Sequence, residues 1–113
     1  MKLNGVCIVT SDVSSLAEFY KRVLRTEPIG DEFHVSFEGK NLAIWNPGDK
    51  TPKTQHMILM YYVEDIVTEY NRIRELDIVT ELTELVKQPW GVIAFSFNDP
   101  QGNGVHFLQP IVN

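Results

Sequence analysis

The chain repeats one pattern on either side of a break. The break is Asn46-Pro47-Gly48-Asp49-Lys50-Thr51-Pro52-Lys53-Thr54, a polar run with two prolines and a glycine. Proline lacks the amide hydrogen and fixes φ, so neither a strand ladder nor a helix continues through it. Before the break, an apolar run Val6 to Val9 leads to Asp12. Leu16, Phe19, Tyr20, Val23 and Leu24 then recur at i, i+3, i+4, i+7 and i+8, the stripe of an amphipathic helix. After the break, Met57 to Val63 leads to Asp65, and Ile66, Tyr70, Ile73 and Leu76 follow at helical spacing. Counted from its Asp, each helix is apolar eight residues on (Tyr20, Ile73) and eleven residues on (Val23, Leu76). The repeat is one of structure, with little identity, and it restricts the fold to two copies of one small module.

Strand patterns complete each copy. Glu32 to Phe37 alternates Phe33, Val35 and Phe37 against His34 and Ser36, and Glu38-Gly39-Lys40-Asn41 turns the chain into a strand over Leu42 to Trp45. Ser15 with Glu18 offers a capping box for the first helix. In the second copy, Val92 to Phe97 and Gly104 to Leu108 read as strands joined by the turn Asp99-Pro100-Gln101-Gly102-Asn103. Between them and the second helix, Leu82, Leu85 and Val86 have helical spacing, but the repeat requires a strand, so Ile78 to Glu84 is assigned as one. Arg25 and Asp77 stand where a helix would take a glycine cap; neither suits a left-handed cap, and both helices are expected to end without a glycine cap, in a tightened last turn.

Composition narrows the class. A chain of 113 residues is one domain's length, with 43% hydrophobic and 22% charged residues, an ordinary globular balance. Fifteen acidic against ten basic residues, net −5, argue against a nucleic-acid partner. The longest apolar run is far short of the ~20 residues that span a bilayer, and Met1 to Gly5 lacks the apolar core of a signal peptide. The single cysteine, Cys7, excludes an internal disulfide and fits a reducing compartment, so the expectation is a cytoplasmic protein with no membrane or nucleic-acid partner. No phosphate-binding glycine loop is present.

Taken in order, Val9 and Asp12 before Phe19-Tyr20 and Leu24, Val63-Glu64-Asp65 before the second helix, Trp90-Gly91, and Asp99-Pro100-Gln101-Gly102-Asn103 resemble the glyoxalase/bleomycin-resistance/dioxygenase family, the vicinal oxygen chelate superfamily. The resemblance covers nearly the whole chain and rests on the order and spacing of these motifs together. It implies an α+β fold of two βαβββ modules, residues 1–46 and 55–113 around the linker 47–54, whose curled mixed sheets enclose a shared cavity within one domain. It also implies a homodimer. Family members include metal-dependent lyases, isomerases and ring-cleaving dioxygenases, thiol transferases, and metal-free proteins that sequester drugs.

The family's enzymes hold a divalent ion with four side chains, usually His and Glu. Carried onto this chain, those positions fall on Gly5, Ala43, Ile58 and His106. Only His106 has a donor, whereas a catalytic metal typically needs three protein ligands, so no metal or other cofactor is expected. A register shift of two would bring His56 towards His106; the plainer reading is a partly exposed histidine at a strand start. Strand alternation in the family geometry instead offers Ile58, Met60 and Tyr62 to the cavity, with Trp45, His106 and Leu108, and Trp90 in a loop at its mouth. Such a wall suits an apolar or aromatic small molecule, although a Met and aromatic stripe also serves as ordinary core. Two functions remain: a metal-free small-molecule-binding protein using a dimer crevice, or a family enzyme with a displaced or degenerate metal site. A scaffold with a partner-binding role stands as a third.

Overall fold

The computed structural model describes residues 1–48 and 50–112; Asp49, within the predicted linker, and Asn113 lie outside the described residues. The chain divides after Thr54 into two compact units. Each has two layers, one helix on one four-stranded mixed sheet, and the two share one strand order.

In the first unit, β1 (Val6–Val9) leads to α1 (Val13–Leu24), then β2 (Ile29–Gly30), β3 (His34–Phe37) and β4 (Leu42–Trp45). The sheet runs β1-β4-β3-β2, with β1 parallel to β4 and the other pairs antiparallel. The helical stripe read from the sequence is the buried one: Val13, Leu16, Ala17, Phe19, Tyr20, Val23 and Leu24 face β3 and β4. Tyr20 is fully buried, edge-on to Phe19 at 5.0 Å and to Phe37 at 6.5 Å between ring centres. Burying one such ring contributes roughly 1.5–3 kcal/mol. The linker's end belongs to this unit, since Thr54 exchanges hydrogen bonds of 2.9 Å with the Val9 backbone through its own N–H and its Oγ1.

The second unit repeats the scheme with longer strands: β5 (Ile58–Tyr62), α2 (Ile66–Arg74), β6 (Val86–Gln88), β7 (Val92–Asn98) and β8 (Gly104–Pro110), ordered β5-β8-β7-β6 with β5 parallel to β8. The α2 side of this sheet is aromatic. Phe95 meets Phe97, Phe107 and Tyr70 at 6.2, 5.4 and 5.2 Å, and Tyr61 meets Phe107 edge-on at 6.4 Å.

The repeated aspartates are helix N-caps. Asp12 Oδ1 accepts from the Ser15 N–H at 3.1 Å, and Asp65 accepts from the Thr68 N–H at 3.2 Å and its hydroxyl at 2.8 Å. These bonds hold the Asp65 carboxyl below its ordinary range. The capping box expected at Ser15 and Glu18 is therefore corrected: Ser15 is already in the first turn, and Asp12 caps it.

Three further expectations are corrected. The strand assigned to Ile78–Glu84 lies later, at Val86–Gln88. A left-handed Glu81 (φ 57°) interrupts the ladder there, leaving a bridge between Thr80 and Asn98, while the turn before Gly91 (φ 88°) sets Val86 opposite Ala94. Arg25 does adopt the left-handed cap (φ 52°, ψ 45°) despite its β-carbon, with its N–H donating to the Lys21 carbonyl. Helix α2 ends instead in a tightened turn, with Glu75 and Leu76 N–H groups donating to Arg72 and Ile73 carbonyls. Phe33, read as part of an apolar face, precedes β3 and is 57% exposed.

Candidate functional site

The turn between β7 and β8 fixes the site's frame. Asp99 and Asn103 are both buried. Asp99 Oδ1 accepts from the Gln101 and Asn103 N–H groups at 2.8 and 2.9 Å, and Oδ2 accepts from the Asn103 amide at 3.1 Å. Asn103 Oδ1 in turn accepts from the Met57 N–H at 3.1 Å, while the Gly104 N–H donates to the Met57 carbonyl at 2.7 Å. The motif thus staples the start of β5 to the β7–β8 hairpin, and so sets the parallel register of β5 on β8.

That register places Ile58 beside Gly104, Met60 beside His106 and Tyr62 beside Leu108, with Ser96 on the far side of His106. All point away from α2. Ile58, Met60 and Tyr62 are 55, 67 and 74% exposed, an unusual strip of large apolar side chains. The His106 imidazole lies over Gly104, with Nε2 3.6 Å from where a β-carbon on that glycine would stand and Ile58 Cγ1 3.5 Å from the same point. Burial holds His106 below its ordinary value, so the ring is neutral at pH 7 and can both donate and accept.

Of the residues expected to line a ligand, the structure therefore brings Ile58, Met60, Tyr62 and His106 onto one sheet face. Trp90 is exposed in the β6–β7 turn, at the Tyr62 end of this sheet but beyond two intervening strands. Trp45 belongs to the first unit, opposite His34 in the β3–β4 pair and 44% exposed. His56 is exposed, and its left-handed backbone (φ 63°) takes it out of the alternation that would align it with Ile58.

Sequence reasoning missed the polar wall beside His106. A cleft of about 260 Å³ is lined by Thr83, Glu84, Val86, Gln88, Ser96 and His106, among others. Thr83 Oγ1 accepts from the Ser96 N–H, and the Thr83 N–H donates to the Ser96 carbonyl, both at 2.9 Å. Ser96 was within reach of alternation, being two residues from Ala94 on β7. Thr83 and Glu84 were hidden because their segment carries a helical spacing.

The four positions at which a metal would be held keep the geometry of the repeat without its chemistry. Ala43 pairs with Cys7, two residues after Gly5, just as His106 pairs with Met60, two residues after Ile58. A divalent ion needs several donors at about 2 Å, and these side chains provide one. A β-carbon on Gly5 would stand 2.6 Å from the Asn41 carbonyl oxygen, so no larger residue fits there without moving backbone. Among the described residues no group of three His, Cys, Asp or Glu side chains is placed to hold an ion. The residues present do not fit a metal. Cys7 lies on a cavity of about 340 Å³ in the first unit, and partial burial pushes its thiol up, away from the reactive thiolate.

The model of the Glyoxalase/Bleomycin resistance protein/Dioxygenase superfamily matches residues 2–107. No curated protein matches the chain. Among solved structures, a glyoxalase/bleomycin resistance protein/dioxygenase from Nocardioides is similar, with TM-score 0.77 and 22% identity over 98% of this chain and 84% of that one. TnmS3, an antibiotic binding protein from Streptomyces sp. CB03234, has TM-score 0.75 and 20% identity over 97 and 96% of the two chains. A lactoylglutathione lyase from Agrobacterium tumefaciens has TM-score 0.73 and 19% identity over 93 and 90%. At these identities the likeness is one of fold. No helix among the described residues is long and apolar enough to cross a membrane.

Proposed function

We propose that this chain, which belongs to the Glyoxalase/Bleomycin resistance protein/Dioxygenase superfamily, is a metal-free small-molecule-binding protein. One observation carries the reading. Of the four positions where the family's enzymes place metal donors, three carry none here (Gly5, Ala43 and Ile58), and Ile58 instead begins an exposed apolar strip with Met60 and Tyr62 beside a neutral His106. Exposed apolar area of this kind gains free energy when a flat organic molecule covers it, at roughly 25 cal/mol per Å². His106 supplies a polar tip on the same face. An antibiotic-binding protein of the same fold supports the class, since the fold accommodates a binding protein as well as a lyase.

The two units act as modules of one domain, in a cytoplasmic protein whose lone cysteine stays reduced. A second copy walls the exposed β5 face, so that the ligand occupies a crevice of a homodimer. Sedimentation at micromolar concentration then reads a dimer, and a monomer overturns that part.

The test of binding is a thermal melt against a panel of apolar and aromatic compounds. A compound that binds only the folded chain raises Tm with concentration. Wild type is expected to shift and Met60→Glu is expected not to. The absence of any shift in wild type, or an undiminished shift in the variant, contradicts the proposal.

A further inference from the structure

The sheet face around His106 has a polarity gradient in one cross-strand row. Met60 on β5 pairs with His106 on β8, which pairs with Ser96 on β7, which is hydrogen-bonded to Thr83. Strands lie ~4.8 Å apart, so the row passes from the exposed Met60 thioether to the Ser96 hydroxyl in ~10 Å, about the length of a bicyclic ring with a short polar head. At the polar end, the cleft lining contains Glu84 and no lysine or arginine. Lys87, the nearest cation in sequence, pairs with Ile93 and so alternates onto the other face of the sheet. The remaining polar groups are His106, the Thr83 and Ser96 hydroxyls and Gln88, all able to accept. The net charge of −5 adds a field in the same sense, drawing cations and repelling anions.

We infer that this site selects an apolar ring bearing a protonated amine, with the ring over Met60 and the ammonium among Glu84, Ser96 and His106, and that it discriminates against the carboxylate of the same shape. The inference rests on the binding function proposed above and specifies its ligand class. A carboxylate head would meet Glu84 with no compensating cation. An ammonium has three donors for the acceptors present, and a neutral His106 does not oppose it.

Three isosteric probes separate the terms: naphthalen-2-ylmethylamine, naphthalen-2-ylmethanol and 2-naphthoate, titrated at pH 7 and low salt into uniformly ¹⁵N-labelled protein. Amide shifts report both affinity and place. The amine is expected to bind about tenfold more tightly than the naphthoate, with shifts at Met60, Ser96 and His106. Glu84→Gln is expected to weaken the amine about three- to fivefold, the range of an exposed ion pair, and to leave the alcohol unchanged. Glu81→Gln, an exposed carboxylate of the same segment outside the cleft lining, is expected to leave all three unchanged. Equal binding of the three probes on the β5–β8 face, or an amine affinity indifferent to Glu84→Gln, overturns the charge selection while the binding function stands. Failure of all three to bind overturns both.

Discussion

Single residues with two or more structural obligations are where this chain is most exposed to mutation. Asn103 closes the β7–β8 turn, donates to the Asp99 carboxylate through its backbone N–H and its amide, and accepts the Met57 N–H that positions β5. Asn103→Ala removes the amide that donates to Asp99 Oδ2 and the oxygen that accepts from the part-buried Met57 N–H, while the backbone donors to Asp99 Oδ1 remain. The expected loss is about 1–3 kcal/mol, read as a lower urea midpoint with unchanged slope. Arg25 is the opposite case. Its left-handed backbone costs a non-glycine residue roughly 1–2 kcal/mol, part of which glycine returns as unfolded-state entropy. Arg25→Gly is expected to stabilise by about 0.5–1 kcal/mol in the same urea experiment. An unchanged or lowered midpoint contradicts the strain. The sequence named the right residue here and mistook its conformation, because the penalty on a β-carbon is smaller than the gain from closing α1.

At the scale of elements, β8 and β5 carry groups whose ionisation folding alters. Burial lowers the His106 pKa below 6.5, so the unfolded chain binds a proton first as pH falls. Stability is therefore expected to decline as pH drops below about 6.5, until the folded histidine is itself protonated. His106→Gln should flatten this segment of the stability curve; an unaltered slope contradicts it. At the alkaline end, burial pushes Tyr61 on β5 up to about 12 from 10.0. The unfolded phenol ionises first, so stability is expected to fall as pH rises from 10 towards 12, and Tyr61→Phe should reduce that fall. A fall in Tyr61→Phe as steep as in wild type contradicts this.

Much at this scale was readable from the sequence. β1 and β4 lie where the apolar runs put them, the stripe of α1 is the buried face, and the alternation of β5 divides Leu59 from Met60 correctly. These are local, periodic signals. The position of β6 was not readable, because a left-handed glutamate and a glycine turn decide it against the spacing of Leu82, Leu85 and Val86. The polar half of the site was lost with it, since Thr83 meets Ser96 only through that displaced segment.

For the molecule as a whole, the family's fold is retained while the positions that would carry its metal chemistry are occupied by Gly5, Ala43, Ile58 and His106. Gly5 is held small by the Asn41 backbone, Ile58 contributes to the apolar strip, and His106 is the single donor. One imidazole binds a divalent ion weakly and reversibly. The measurement that bears on this most directly is the metal content of protein purified without chelator, for wild type beside His106→Ala. Zinc, nickel, iron and manganese are expected far below one equivalent in both. One equivalent of any of them in wild type, lost in His106→Ala, would contradict the account and make the chain a metalloprotein of the enzyme class.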